Sequence, residues 1–250
     1  MMSRAAKVVA VSEASRRETI ERFRVPEDRI VMIPNAVDLS RLLPTQSMES
    51  MRSSLGVSPS EPVILSIGAL TWEKDPLVHL EVSRRLAQQG MRAIHIFVGD
   101  GPLRPELELA IRRLGLEKRT LLLGSRADIA DIVACGDVLL LASCTEGMPA
   151  TIVEAGVLGL PVVAFAVAGV PEVVIDGSTG LLARPGDVQG LTDRVWRLVR
   201  DKAMARIMGE RAARHCRRAF DVRIIAPQYL ALYRELRSAT ESTRLVGETG

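Results

Sequence analysis

Short aliphatic runs recur along this chain, each followed by a longer stretch with helical periodicity, and that alternation leaves few folds open. The strand candidates are Val8–Val11, Ile30–Ile33, Val63–Gly68, Ala93–Val98, Thr120–Leu123, Val138–Ala142, Val162–Phe165 and a weaker Gly180–Ala183. Between them lie helical segments with readable ends. Asp75-Pro76 supplies an N-cap with proline in the first turn, Gly90 closes that helix, and the face Leu103, Leu107, Ile111 and Leu114 stops at Gly115. Strand–helix–strand repetition predicts an α/β fold: a doubly wound, Rossmann-like parallel sheet with helices on both faces. Aromatic residues make up only 3% of the chain, so the core has to be aliphatic, as buried parallel strands require. The same scarcity argues against a surface that stacks nucleic-acid bases.

The periodic pattern breaks once, near residues 40–60, where Pro44-Thr45-Gln46-Ser47 and Ser58-Pro59-Ser60 are turn-rich. Before the break stands a single βαβ fragment: VVAV, a helix from Glu13 to Phe23, and IVMIP. Two strands cannot bury both of their own faces, so this reads as the end of a larger domain. After Asp187 the chain turns helical through Leu191–Arg200, Met204–Phe220 and Ile224–Arg237, and Ser238–Gly250 is polar and expected to fray. The expected division is 1–45 as the end of an N-terminal domain plus linker, 46–220 as the Rossmann-like domain, 221–237 as a crossover helix and 238–250 as a disordered tail.

The net charge of +3 is mild, although Arg211, Arg214, Arg217 and Arg218 cluster. They read either as the solvated face of a late helix or as a contact for phosphates or anionic headgroups. Cys135, Cys144 and Cys216 are widely spaced and read as reduced structural thiols. No leader or membrane span is visible, because Ala155–Val170 is broken by Gly156, Gly159, Pro161 and Gly169. A cytoplasmic protein is expected, either free or at the inner face of the membrane. His79, His95 and His215 read as isolated, with His95 structural within its strand.

The sharpest local signal is Glu146-Gly147-Met148-Pro149, with Glu154 completing an E-x7-E spacing. It follows the strand DVLLLAS and so lies at a strand's carboxyl end, where open α/β sheets bind ligands. Pro149 is expected to open the next helix, whose free amides suit an anionic group such as a diphosphate. The two carboxylates then suit sugar hydroxyls, Glu154 a ribose and Glu146 a hexose. The plainer reading makes Glu146 a helix cap and Glu154 a surface residue, and Lys74 a solvated lysine.

ASCTEGMPATIVEAGVLGLPVVAF resembles the signature of retaining glycosyltransferases of group 1, or family four, which have the two-domain GT-B fold. SIGALTWEKDP, VGDGP, AGVPEVVIDGSTGLLARPGD and AVSEASRRETIERFRVPEDRIVMIPNAVD resemble further landmarks of that family, in order, over residues 5 to 237. The resemblance implies the C-terminal, donor-binding half of such an enzyme with only the end of the acceptor domain. It implies that Lys74 pairs with the donor diphosphate, Glu154 holds the ribose and Glu146 holds the donor sugar. Gly147, Met148, Pro149 and Ala150 would contact phosphate and sugar, Gly68 would let the backbone approach the phosphates, and Gly124, Ser125 and Arg126 would line the base pocket. No metal or other cofactor is implied, in keeping with the lack of an Asp-x-Asp pair.

The partners implied are a nucleotide-sugar donor and an acceptor of unknown kind: a sugar, a lipid-linked sugar or a small molecule. Nucleic acid is not expected; membrane contact, and a homodimer through the apolar stripe Tyr229, Leu232, Tyr233 and Leu236, are. The isolated chain is expected to be inactive or weakly active. The alternatives are a non-catalytic nucleotide-sugar-binding or dimerisation module and, less well matched, a nucleotide-sugar epimerase. Three departures from the family pattern stand out. Ala69 replaces a common arginine, with Arg126 or Arg104 as substitutes; Asn35-Ala36-Val37-Asp38 lacks the linker glycine; and Ala168 stands where a glycine pair is usual. Losing one charge-assisted bond, worth about 1.5–3 kcal/mol, weakens donor binding roughly ten- to a hundredfold.

Overall fold

The computed structural model describes residues 5–247, with side chains as far as 238. Val63–Ile67 (β3) and Ile94–Val98 (β4) are buried along their whole length and pair in parallel, as uninterrupted aliphatic runs must when helices cover both faces. Thr120–Leu122 (β5) extends the sheet beyond β4, and Val138–Leu141 (β6), Val162–Phe165 (β7) and Gly180–Ala183 (β8) extend it from the other side of β3. The resulting order is β5-β4-β3-β6-β7-β8, all parallel. Strand order therefore reverses between β3 and β6, and a crevice opens beyond their carboxyl ends.

Helices fill the crossovers. Pro76–Gln88 (α3) starts where the Asp75 carboxylate accepts from the Val78 amide. It packs on Arg104–Leu114 (α4) and Val188–Arg200 (α8). Ala150–Val157 (α6) packs on Lys202–Ala219 (α9), whose Arg217 donates to the Val157 carbonyl at 3.1 Å. Arg211, Arg214 and Arg218 are exposed on α9. Of the thiols, Cys135 and Cys216 are buried, and burial pushes them up to about 11 and about 12; Cys144 is exposed. No helix among the described residues is long and apolar enough to cross a membrane.

Three elements lie outside the sequence expectation. Met48–Ser54 (α2) is a short helix inside the turn-rich break, capped by Ser47 and anchored by its buried Arg52, which donates to Cys135 O and Asp137. Ile129–Ala134 (α5) and Val170–Val173 (α7) are too short to leave a periodic signature.

The N-terminal fragment forms its own two-stranded parallel sheet from Val8–Ala10 (β1) and Ile30–Met32 (β2), joined by Glu13–Glu21 (α1). The final helix, Val222–Gly247 (α10), runs past the Arg237 end read from sequence. Residues 248–250 of the polar tail lie outside the described residues. Its apolar stripe is not left open as expected. Ile225 and Leu232 are buried with Ile33, and Tyr229 and Leu236 pack against them, so the β1–β2 unit covers most of it. Tyr233 stays 61% exposed.

Candidate functional site

Lys74 and Glu146 meet across the strand reversal: Lys74 Nζ donates to Glu146 Oε1 at 2.5 Å. Lys74 enters from the turn after β3, and Glu146 from the turn after β6. The Glu146 side chain is only 7% exposed, and the fully buried Ser143 hydroxyl donates to the same Oε1 at 2.7 Å. Oε2 accepts no hydrogen bond from any described residue, which leaves it available to a ligand hydroxyl. Gly68, Ala69, Lys74, His79 and Leu141 line a small hollow beside this pair. Gly99 bears on it from behind: at φ +131°, a Cβ there would lie 2.0 Å from the Gly68 carbonyl oxygen.

The Glu146–Gly147 turn is clamped from outside the Rossmann-like domain as well as inside it. The Gly169 amide donates to the Glu146 carbonyl at 3.1 Å. A Cβ on Gly169 would come within 1.8 Å of the Gly147 carbonyl oxygen, so only glycine fits there. Asn35 of the linker donates to the Met148 carbonyl at 2.8 Å. Glu172 of α7 accepts from the Glu13 and Ala14 amides at the start of α1, which holds the N-terminal fragment against this edge. Pro149 does not open α6 but caps it, with extended backbone and no side-chain hydrogen bond. The amides of Gly147, Met148, Ala150 and Thr151 make no hydrogen bond to any described residue. A set of unpaired amides at a helix start is an anion cradle.

Glu154 lies apart from Glu146, in a second hollow lined by Arg41, Leu43 and Thr45 of the linker and by Asp128 and Ile129. Burial pushes its carboxyl above the usual range. Asp131, itself buried, holds the linker wall in place: it accepts from Thr45 N at 2.5 Å, Thr45 Oγ1 at 2.8 Å and Gln46 N at 2.9 Å. The wall supplied by the loop after β5 begins at Ala127, past the expected Gly124, Ser125 and Arg126. Gly124 is spent on its neighbour, its carbonyl accepting from the Gly99 amide at 2.8 Å. Neither substitute for the arginine missing at Ala69 is free. Arg126 is held by Asp128 at 2.5 Å, and Arg104 by Glu108 at 2.9 Å and Asp100 at 3.3 Å.

Sequence reasoning missed Ser143, Asn35 and the linker wall. Ser143 could have been flagged as a small polar residue ending an aliphatic strand; the other two need the tertiary fold. It also misjudged two histidines. His79 and His95 are not isolated: both bond to Ser66 Oγ, at 2.5 and 2.7 Å.

Residues 47–215 match the family model for glycosyl transferases group 1, and residues 1–41 match that for Glycosyltransferase Family 4. The chain belongs to the group 1 glycosyltransferases, a family of enzymes. It is 30% identical to N-acetyl-alpha-D-glucosaminyl L-malate synthase of Bacillus anthracis over 90% of this chain and 58% of that protein. It is 27% identical to alpha-D-kanosaminyltransferase of Streptomyces kanamyceticus over 93% of this chain and 61% of that one. The chain thus spans only 58% and 61% of these curated relatives. Among solved structures, Anabaena HepE in complex with UDP-glucose superposes with a TM-score of 0.86 at 27% identity, over 92% of this chain and 64% of that one. The fold is that of the GT-B glycosyltransferases, and this chain covers their C-terminal domain.

Proposed function

We propose that this chain is the donor-binding portion of a retaining, metal-independent glycosyltransferase that takes a nucleotide-diphospho-sugar. The observation that carries the reading is the Lys74–Glu146 pair, set across the strand reversal beside the unpaired amides of Gly147, Met148, Ala150 and Thr151. A diphosphate placed on those amides lies within the field of both the helix start and the Lys74 ammonium. Glycosyl transfer passes through an oxocarbenium-like state as the diphosphate departs, so fixed positive charge at the leaving group lowers the barrier. Lys74 has three donors and can turn from Glu146 to the phosphate without leaving the crevice. Glu146 Oε2 then accepts from a hydroxyl of the donor sugar. The ribose reaches Glu154 in the neighbouring hollow, and the base lies against Ala127–Asp131 and the linker.

Ala69 favours loose donor binding, because Arg104 and Arg126, the candidates to replace the missing arginine, must first leave their partners Asp100, Glu108 and Asp128. The acceptor belongs to the part of the relatives this chain does not span, so the isolated chain binds donor and transfers little. Calorimetric titration with UDP, GDP and ADP tests the reading. Micromolar-to-millimolar binding of at least one is expected, and it is lost in Glu154→Ala. Binding to none, or binding indifferent to Glu154→Ala in a folded protein, refutes it.

A further inference from the structure

Beneath the Lys74–Glu146 pair runs a chain of buried polar groups joined by hydrogen bonds. The Ala142 amide donates to His79 Nε2 at 2.9 Å, so His79 carries its proton on Nδ1 and donates to Ser66 Oγ at 2.5 Å. The Ser66 hydroxyl donates to His95 Nε2 at 2.7 Å; His95 in turn carries its proton on Nδ1 and donates to Ser83 Oγ at 2.5 Å. Ser83 Oγ donates to the His79 carbonyl at 3.4 Å. Ser66, His79 and His95 are 5%, 4% and 1% exposed, and Phe97 stacks on His95 with ring centroids 4.3 Å apart. Burial pushes His79 down to about 3 and His95 well below the ordinary range, so both rings stay neutral.

This chain of bonds ends at the strand reversal. Ala142 follows the last residue of β6 and begins the run Ser143, Cys144, Thr145, Glu146. Besides weak contacts of the Cys144 thiol with Trp72 O and Asp75, three bonds cross from the start of α3 to this run. Ala142 N–H reaches His79, Cys144 N–H reaches the Glu73 carbonyl at 2.8 Å, and Lys74 reaches Glu146 at 2.5 Å. The first two are uncharged and have no reason to open when a ligand arrives; the third has to adjust when Lys74 turns to a phosphate. An apolar side chain at position 79 would fill the core but leave the Ala142 amide without an acceptor.

We propose that His79 is a positioning residue for the donor site: by accepting from the Ala142 amide it fixes the turn that carries Glu146 opposite Lys74. The proposal rests on the donor reading above. Its first test is long-range nitrogen–proton NMR of the imidazoles in the whole chain. Both rings are expected neutral with the proton on Nδ1, and a His79 proton on Nε2 overturns the proposal. The second is UDP titration of two variants. His79→Leu removes the acceptor and is expected to weaken UDP binding about tenfold and to move the Cys144 and Glu146 amide resonances. His79→Gln restores an acceptor oxygen near the Nε2 position and is expected to stay within about threefold of the parent.

A merely structural role would lower the melting temperature of both variants while leaving affinity and those resonances alike. A folded His79→Leu with the parent's affinity and resonances therefore overturns the proposal while the donor reading stands. Should His79→Leu not fold, Ser66→Ala frees the His79 ring at its other nitrogen; it is expected to weaken UDP binding about threefold, and unchanged affinity counts against the proposal. A parent chain that binds none of UDP, GDP and ADP overturns the donor reading instead. The positioning role is then decided by the Cys144 and Glu146 resonances alone, and unchanged resonances in these variants overturn it.

Discussion

Acidification from pH 7.5 to 5 should destabilise this protein, chiefly by way of two histidines far from its surface. In the folded chain His79 is held down to about 3 and His95 well below its ordinary value, chiefly by burial. In the unfolded chain both rings take a proton below about 6.5. The unfolded state thus binds more protons throughout this window, and stability must fall as pH falls. It is fully present above pH 6.5 and erodes progressively towards pH 3. A ring kept neutral costs about 1.4 kcal/mol per pH unit once well below 6.5, so His79 alone has cost about 2 kcal/mol at pH 5, and His95 adds to it in the same direction. Glu81, held down to about 2 mainly by Arg84, titrates far below this window, whereas the Glu154 carboxyl, pushed up by burial, opposes the histidines towards its acid end. Urea unfolding curves at half-unit steps measure the effect directly, and His79→Gln should make the slope between pH 6 and 5 clearly shallower. A flat profile over this range would refute the reasoning, because it would mean that the native rings accept protons as readily as the unfolded ones.

Two neighbouring substitutions separate space from backbone strain at the donor turn. Gly169→Ala places a Cβ against the Gly147 carbonyl, which cannot move without shifting Glu146. It should cost about 1–3 kcal/mol, read by thermal melting, and weaken nucleotide binding as well. Ala168→Gly should act the other way. Ala168 is exposed with φ at +41°, a left-handed conformation that costs a side-chain-bearing residue about 1–2 kcal/mol, so replacing it should leave stability unchanged or raise it by up to about 1 kcal/mol. A loss above that margin would show that the methyl group makes a contact that matters.

The eight strands were legible because each is a short aliphatic run, fully buried in the central strands β3, β4, β6 and β7, and the E-x7-E spacing was legible because it follows one of them. The carboxyl-edge position of Glu146 and its approach to Lys74 both follow from parallel pairing of β3 and β6, so the sequence reading of that pair needed only the fold. What it could not supply was register. Ser66 lies opposite Phe97 on β4, with His95 two positions earlier, and His79 returns on the helix between the two strands. Nothing in sequence separation shows that these three share one bond network. The linker wall escaped for a similar reason, because its anchor Asp131 lies on α5, a helix too short to announce itself. The apolar stripe of α10 was expected to lie open or to meet a second copy of the chain; it is covered by the chain's own N-terminal sheet, whose docking no local pattern encodes.

A crystal structure of the chain with UDP-glucose, the donor bound by Anabaena HepE, addresses the central claim most directly. The diphosphate is expected on the amides of Gly147, Met148, Ala150 and Thr151 with the Lys74 ammonium against it, and the ribose at Glu154. Ligand bound elsewhere, or bound with Lys74 still turned wholly to Glu146, would contradict the account.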